Sequence, residues 1–179
     1  MRDAQLAKDL YTAAHITGTF LLRSGQTSHE YFDKFLFSAD PALLARITAD
    51  MECLIPASAE VLAGLELGAI PIVTALSLQS GLPAAFIRKE PKAYGTCKQA
   101  EGAEVTGKCV CIVEDVVTTG GAILDFVRGL RQSGAIVTHV LCVVLRNPNA
   151  VETLSEHGLT LIPAFTMEEL TTAAATDKK

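Results

Sequence analysis

Cys109-Val-Cys-Ile-Val-Glu-Asp-Val-Val-Thr-Thr-Gly-Gly-Ala122 decides how the rest of this chain is read. Its first half is an apolar run that predicts a short strand from Cys109 to Asp115, ending in two carboxylates, Glu114 and Asp115. A turn of hydroxyl and glycine residues follows, Thr118-Thr119-Gly120-Gly121, and then an amphipathic run that predicts a helix from Gly121 to Gln132. Backbone N–H groups at a helix start lack partners and carry partial positive charge, so they accept an anion. Glycine lets the backbone approach that anion, because no Cβ intervenes. Thr118 and Thr119 add hydroxyl donors. Ionised carboxylates only accept hydrogen bonds, so Glu114 and Asp115 would repel phosphate and hold sugar hydroxyls. The spacing thus separates the two ends of a phosphosugar. The plainer alternative is a strand-to-helix turn with a solvated acidic pair. A Walker loop needs Gly-Lys-Ser/Thr and a dinucleotide fingerprint needs G-x-G-x-x-G, and neither occurs.

Working outward, apolar runs alternate with helical patterns. Strands are expected at Val61–Leu65, Ala84–Lys89, Val137–Arg146 and Leu159–Phe165, and helices at Ile70–Gln79 and Asn149–His157. Such alternation predicts an α/β fold with a parallel sheet covered on both faces. Before it, residues 3–15 suit a helix, Phe20–Arg23 and Tyr31–Lys34 look like short strands, and Asp40-Pro41 is an N-cap and first-turn proline for a helix running to about Leu54. Residues 90–108 are polar and irregular, and Thr171–Lys179 is expected to fray. Ligand sites of parallel sheets lie at the carboxyl ends of the strands. Residues 65–69, 88–98, 114–122 and 146 all fall there.

At 179 residues the chain is most simply one domain, with an ordinary globular balance of 49% hydrophobic and 20% charged residues. A net charge of −5 gives no reason to expect nucleic acid or anionic membrane as a partner. No apolar run approaches the ~18 residues of a membrane span. The five cysteines, at 53, 97, 109, 111 and 142, show no C-x-x-C spacing, and three lie in strand-like runs. They read as reduced thiols of a cytoplasmic protein.

Arg88-Lys-Glu-Pro-Lys-Ala-Tyr-Gly-Thr-Cys-Lys98 is the second signal. Four of the chain's fifteen Lys and Arg residues lie in these eleven positions. A cationic loop on an acidic protein points to a small polyanion, against the alternative of a solvated charged loop. Gly95, Gly102 and Gly107 make the segment pliant enough to close over a ligand.

Glu114 to Ala122 resembles the phosphoribosyl-pyrophosphate (PRPP) motif of type I phosphoribosyltransferases: apolar residues, two acids, then a Thr/Gly-rich phosphate loop. The cationic loop is similar to the Arg-Lys-x-x-Lys-x-His-Gly loop of the orotate branch of that family. It matches at Arg88, Lys89, Lys92 and Gly95, with Tyr94 in place of histidine. Gly18–Lys34 resembles the branch's Lys/Arg-Ser-Gly-x-x-Ser segment followed by aromatics, with Arg23 and Tyr31-Phe32 in those places; Phe32 itself reads as a core aromatic. Arg146 falls where the branch has an Asp-Arg pair; here it is Leu145-Arg146. Gly64-Leu-Glu-Leu-Gly-Ala-Ile-Pro71 matches the pyrophosphate loop, with Gly68 where some members carry lysine.

The resemblance implies a type I phosphoribosyltransferase fold, a mostly parallel central sheet flanked by helices, with residues 1–40 forming a small N-terminal hood. It implies transfer of phosphoribose from PRPP to orotate, giving orotidine 5′-monophosphate and pyrophosphate in pyrimidine synthesis. PRPP would be bound by Arg88, Lys89, Lys92, Tyr94, Glu114, Asp115, Val116, Val117, Thr118, Thr119, Gly120, Gly121 and Ala122. Lys92 and Asp115 would be catalytic, and Arg23, Thr118 and Arg146 would meet orotate. Mg²⁺ would be held by PRPP oxygens with no direct protein ligand. The cationic loop would reach into a neighbouring subunit, which implies a homodimer with shared sites. Two alternatives stay open: another purine or pyrimidine as acceptor base, and a PRPP-sensing regulator on the same scaffold.

Overall fold

The computed structural model describes residues 3–21, 25–89 and 99–176. The N-terminal part packs beside the main sheet. Helix α1 (Ala4–Ala14) starts at Asp3, whose carboxylate accepts the amides of Gln5 and Leu6. Strands β1 (His15–Leu21) and β2 (Thr27–Phe32) form a separate antiparallel pair. Helix α2 (Lys34–Ala39) is capped by Asp33. Helix α3 (Pro41–Glu52) is capped by Asp40 and opened by Pro41, as the sequence predicts.

The alternating part follows: β3 (Val61–Leu65), α4 (Ala69–Ser80), β4 (Ala84–Ile87), β5 (Ala100–Gly102), β6 (Cys109–Val117), α5 (Gly121–Gln132), β7 (Ile136–Leu145), α6 (Asn149–Ser155), β8 (Thr160–Thr166) and α7 (Met167–Ala175). The sheet order is β5-β4-β3-β6-β7-β8, parallel except for β5 against β4. The chain steps outward from β3 to β4 and then crosses back to β6. Strand order therefore reverses between β3 and β6, and a crevice opens at their carboxyl ends.

Period-two alternation assigns each strand residue to a face. Leu62, Cys111, Val113, Leu141 and Val143 join Leu10 of α1, Ile47 of α3, Ile72 of α4 and Leu170 of α7 in one core layer. Val61, Ala63, Val110, Ile112 and Val140 join Phe126 of α5 and Leu154 of α6 in the other. Each buried aliphatic side chain contributes about 2 kcal/mol of transfer free energy before conformational entropy is counted. Phe32 packs against the first layer, with its ring centroid 6.5 Å from that of Phe37, in keeping with the core reading.

Several boundaries differ from expectation. Strand β6 does not stop at the acidic pair but continues through Val117, because Val116 and Val117 pair with Val144 and Leu145 of β7. The segment 90–108 contains a strand, β5, held antiparallel on Ala85–Ile87. Residues 171–175, expected to fray, belong to α7. That helix begins with a capping box between Thr166 and Glu169 and buries Leu170 completely. Among the described residues no helix is long and apolar enough to cross a membrane.

Candidate active site

The crevice holds a cavity of about 670 Å³, lined from three directions. The β6–α5 connection supplies Glu114, Val116, Val117, Thr118, Thr119, Gly120 and Ala122, and α5 adds Ile123, Asp125 and Phe126. The β3–α4 turn and the end of β4 supply Glu66 and Lys89, with Gln99 beside them. Lys34 enters from α2.

Both flanks of the crevice end in a helix N-terminus. Gly120, at φ +80°, turns the chain into α5, and no side chain caps the first-turn amides. A Cβ there would stand 3.1 Å from Leu154. Helix α4 begins at Gly68, again without a side-chain cap. The uncapped amides of α5 thus open on the cavity, suited to an anion, while the start of α4 lies beside it, two residues beyond the lining residue Glu66.

The acidic pair divides between the two faces of β6. Glu114 looks into the cavity. Burial, and next the hydrogen bond and charge of Asp115, push its carboxyl well above the usual carboxylate range. Asp115 lies on the other face and is fully buried. Its Oδ1 accepts the amide of Val116 at 2.6 Å and the Lys34 ammonium at 3.1 Å. Lys34 Nζ also stands 2.8 Å from Oδ2, yet Oδ2 has no aligned hydrogen bond. Oδ2 presses on Gly68, where a Cβ would come within 1.6 Å of it.

Of the expected site residues, Lys89, Glu114, Val116, Val117, Thr118, Thr119, Gly120 and Ala122 line the cavity. Gly121 is the first residue of α5 beside them. Arg88 is exposed, its amide bound to the Gln99 carbonyl at 2.9 Å. The Lys89 amide donates to the Glu66 carboxylate. Arg146 is exposed just past β7, its amide donating to Val117 O at 2.8 Å, so it stands next to the end of β6. Arg23, Lys92 and Tyr94 lie outside the described residues. Lys34, Glu66, Gln99, Ile123, Asp125 and Phe126 were not anticipated. Lys34 and Glu66 lie within Gly18–Lys34 and Gly64–Pro71, but the strand-like pattern of Tyr31–Lys34 masks the helix that Lys34 opens.

Cys53, Cys109, Cys111 and Cys142 are free thiols. Burial pushes Cys111 up to about 12. Burial, then the charges of Glu114 and Asp115, raise Cys142 as well. Both thiols stay protonated and act as small apolar side chains. No group of three or more His, Cys, Asp or Glu among the described residues is placed to hold a metal ion.

The phosphoribosyl transferase domain family matches residues 40–163. The orotate phosphoribosyltransferase of Nocardioides sp. is 48% identical over 171 residues, 96% of each chain. The chain belongs to the orotate phosphoribosyltransferase family. The orotate phosphoribosyltransferase of Methanocella arvoryzae is 40% identical over 88% of this chain and 90% of that one. The orotate phosphoribosyltransferase of Mycobacterium tuberculosis, solved in complex with PRPP, superposes with a TM-score of 0.80 at 30% identity, covering 94% of this chain and 98% of that one. The protein is therefore a transferase enzyme, on the type I phosphoribosyltransferase fold.

Proposed function

We propose that the chain transfers the 5-phosphoribosyl group from PRPP to orotate, releasing pyrophosphate, and that the β3/β6 crevice is where it does so. The carrying observation is one cavity lined by the uncapped start of α5, the Glu114 carboxylate and the ammonium-bearing Lys34 and Lys89. A ligand with a phosphate at each end and sugar hydroxyls between them fits that order of groups. The Thr118–Ala122 turn takes the 5′-phosphate, and the Gly64–Pro71 turn takes the diphosphate.

Glu114 clamps a ribose hydroxyl from inside the cavity. Asp115 takes the other: its Oδ2, which stands against Gly68 and 2.8 Å from the Lys34 ammonium, shifts toward the cavity when the sugar binds. Arg88, Lys89, Lys92 and Tyr94 gather around the leaving diphosphate. Lys92 is charged with stabilising the negative charge that develops there as the ribose becomes oxocarbenium-like. Arg146 and Arg23 meet the orotate carboxylate, with Thr118 beside the base. A guanidinium fork at position 146 matches that carboxylate.

The cavity also fits Mg²⁺ delivered with its substrate: isolated carboxylates such as Glu114, Glu66 and Asp125 line it, without a dedicated cage. The ion would be held by PRPP oxygens and would offset charge on the diphosphate. The working unit is a homodimer whose cationic loops are exchanged between subunits, in one phosphoribosyltransferase domain per chain. The site of action is the cytoplasm.

A panel of free bases with PRPP and Mg²⁺, each followed by loss of base, tests the reaction. Rapid consumption of orotate alone is expected, and Arg146→Ala should slow it. Consumption of another base, insensitive to Arg146→Ala, would replace orotate as the acceptor. PRPP binding with no turnover of any base would make the chain a sensor instead.

A further inference from the structure

Lys34 is a cavity residue that no motif accounts for. It comes from α2, outside the alternating sheet, yet its Nζ reaches the switch point between β3 and β6. Its side chain is 40% exposed while its partner Asp115 is fully buried, so the ammonium sits at the boundary between a buried carboxylate and the open cavity. A lysine ammonium carries three donors. The hydrogen bond to Asp115 Oδ1 occupies one of them. Nζ also stands 2.8 Å from Oδ2, and Lys34 lines the cavity, which leaves donor capacity on that side.

Position tells which ligand group they meet. Nζ stands 3.2 Å from where a Cβ on Gly68 would be. Gly68 is the residue from which α4 starts without a side-chain cap. The turn Leu65–Ala69 contains no basic residue, and its one charged side chain is Glu66. Helix α5 and its Thr118–Gly121 turn, the other anion end of the crevice, belong to the opposite flank. Lys34 therefore adds a cation to the α4 end, where the chain's own turn has none. An ammonium already fixed by Asp115 loses little freedom when it engages a second anion.

We propose that Lys34 is a further substrate-binding residue: seated on Asp115, it donates to an oxygen of the diphosphate of PRPP and of the pyrophosphate product. The assignment rests on the reading that the crevice takes PRPP. Asp115 then has a second part, holding the ammonium in place from the buried side.

The test must separate a ligand contact from the cost of a lone buried charge. Calorimetric titration of Asp115→Asn is compared with the double variant Lys34→Met/Asp115→Asn, in which neither partner is charged. The titrants are inorganic pyrophosphate with Mg²⁺, PRPP with Mg²⁺, and ribose 5-phosphate. The double variant should bind pyrophosphate and PRPP about tenfold more weakly than Asp115→Asn, the size expected for one charged hydrogen bond. Ribose 5-phosphate should bind both proteins alike. Equal affinities for pyrophosphate in the two proteins overturn the assignment. So does an equal loss for ribose 5-phosphate, which would move Lys34 to the sugar-phosphate end. If a variant does not fold, Lys34→Gln, which keeps a donor for Asp115, gives the same comparison against the unaltered chain. An unaltered chain that ignores PRPP defeats the function itself; one that binds PRPP while Lys34 makes no difference defeats this assignment alone.

Discussion

Gly68 and Asp115 leave no room between them: a Cβ on Gly68 would stand 1.6 Å from Asp115 Oδ2 and 2.8 Å from its carboxyl carbon. The backbone of Gly68, at φ −68° and ψ −29°, is ordinary helical geometry that alanine adopts freely. Gly68→Ala is therefore purely steric. It should cost about 1–3 kcal/mol through overpacking and, by pushing Asp115 off Lys34, weaken PRPP binding further than the stability loss accounts for. Urea unfolding alongside PRPP titration checks both. A fully stable, fully active Gly68→Ala protein would mean the turn yields where the packing says it does not.

Glu114 should make the protein less stable as pH rises. Its carboxyl is held above its reference value of 4.5, mainly by burial and next by Asp115. The folded state thus keeps a proton the unfolded state gives up, and stability falls with pH across that interval. Below the reference value both states are protonated and the cost vanishes. Glu114→Gln should accordingly be more stable than the unaltered chain near neutral pH and equal to it in acid. Its PRPP affinity should drop, because glutamine accepts ribose hydroxyls without charge. Melting curves over a pH series, with PRPP titration at neutral pH, read out both effects.

Lys92 separates turnover from folding. Replacing it with alanine should lower kcat by roughly a hundredfold or more, the scale of losing one preorganised charge contact in a transition state. The melting temperature should hardly move. Unchanged turnover would remove Lys92 from the leaving-group site.

Thr166 offers a control that does not line the cavity. Its hydroxyl accepts the Glu169 amide at 3.2 Å, and the Glu169 carboxylate accepts the Thr166 amide at 2.7 Å. Thr166→Ala should cost about 1 kcal/mol of stability and leave kcat/KM unchanged, as denaturant midpoints and steady-state rates would show.

The parts legible in the sequence were those ruled by local periodicity. Strand β3 and helix α5 follow directly from apolar spacing and turn glycines, and the cavity-lining run from Val116 to Ala122 comes with them. The parts that escaped are set by partners distant in sequence. Val116 and Val117 stay in the strand because β7 offers them a ladder, which two preceding carboxylates conceal. Strand β5 is three residues long and exists only through β4. Helix α7, with its small apolar residues, reads as a tail until it docks on α1. Lys34 carries no local mark of function, since its role comes from Asp115, 81 positions away. The opposite orientations of Glu114 and Asp115 follow from strand pleating, but reading them requires knowing that the strand continues past both.

That 81-residue separation also bears on how the protein becomes competent. A contact spanning so much chain carries a larger loop-closure cost than a local one. The central strands and their phosphate turns are held by their own pairing, so they can stand with Asp115 lacking its counter-ion. Docking of the first forty residues then completes the charge balance of the site in one step. Detachment of that N-terminal layer would undo it just as abruptly, so amide exchange in α2 should report readiness for substrate better than exchange anywhere in the sheet.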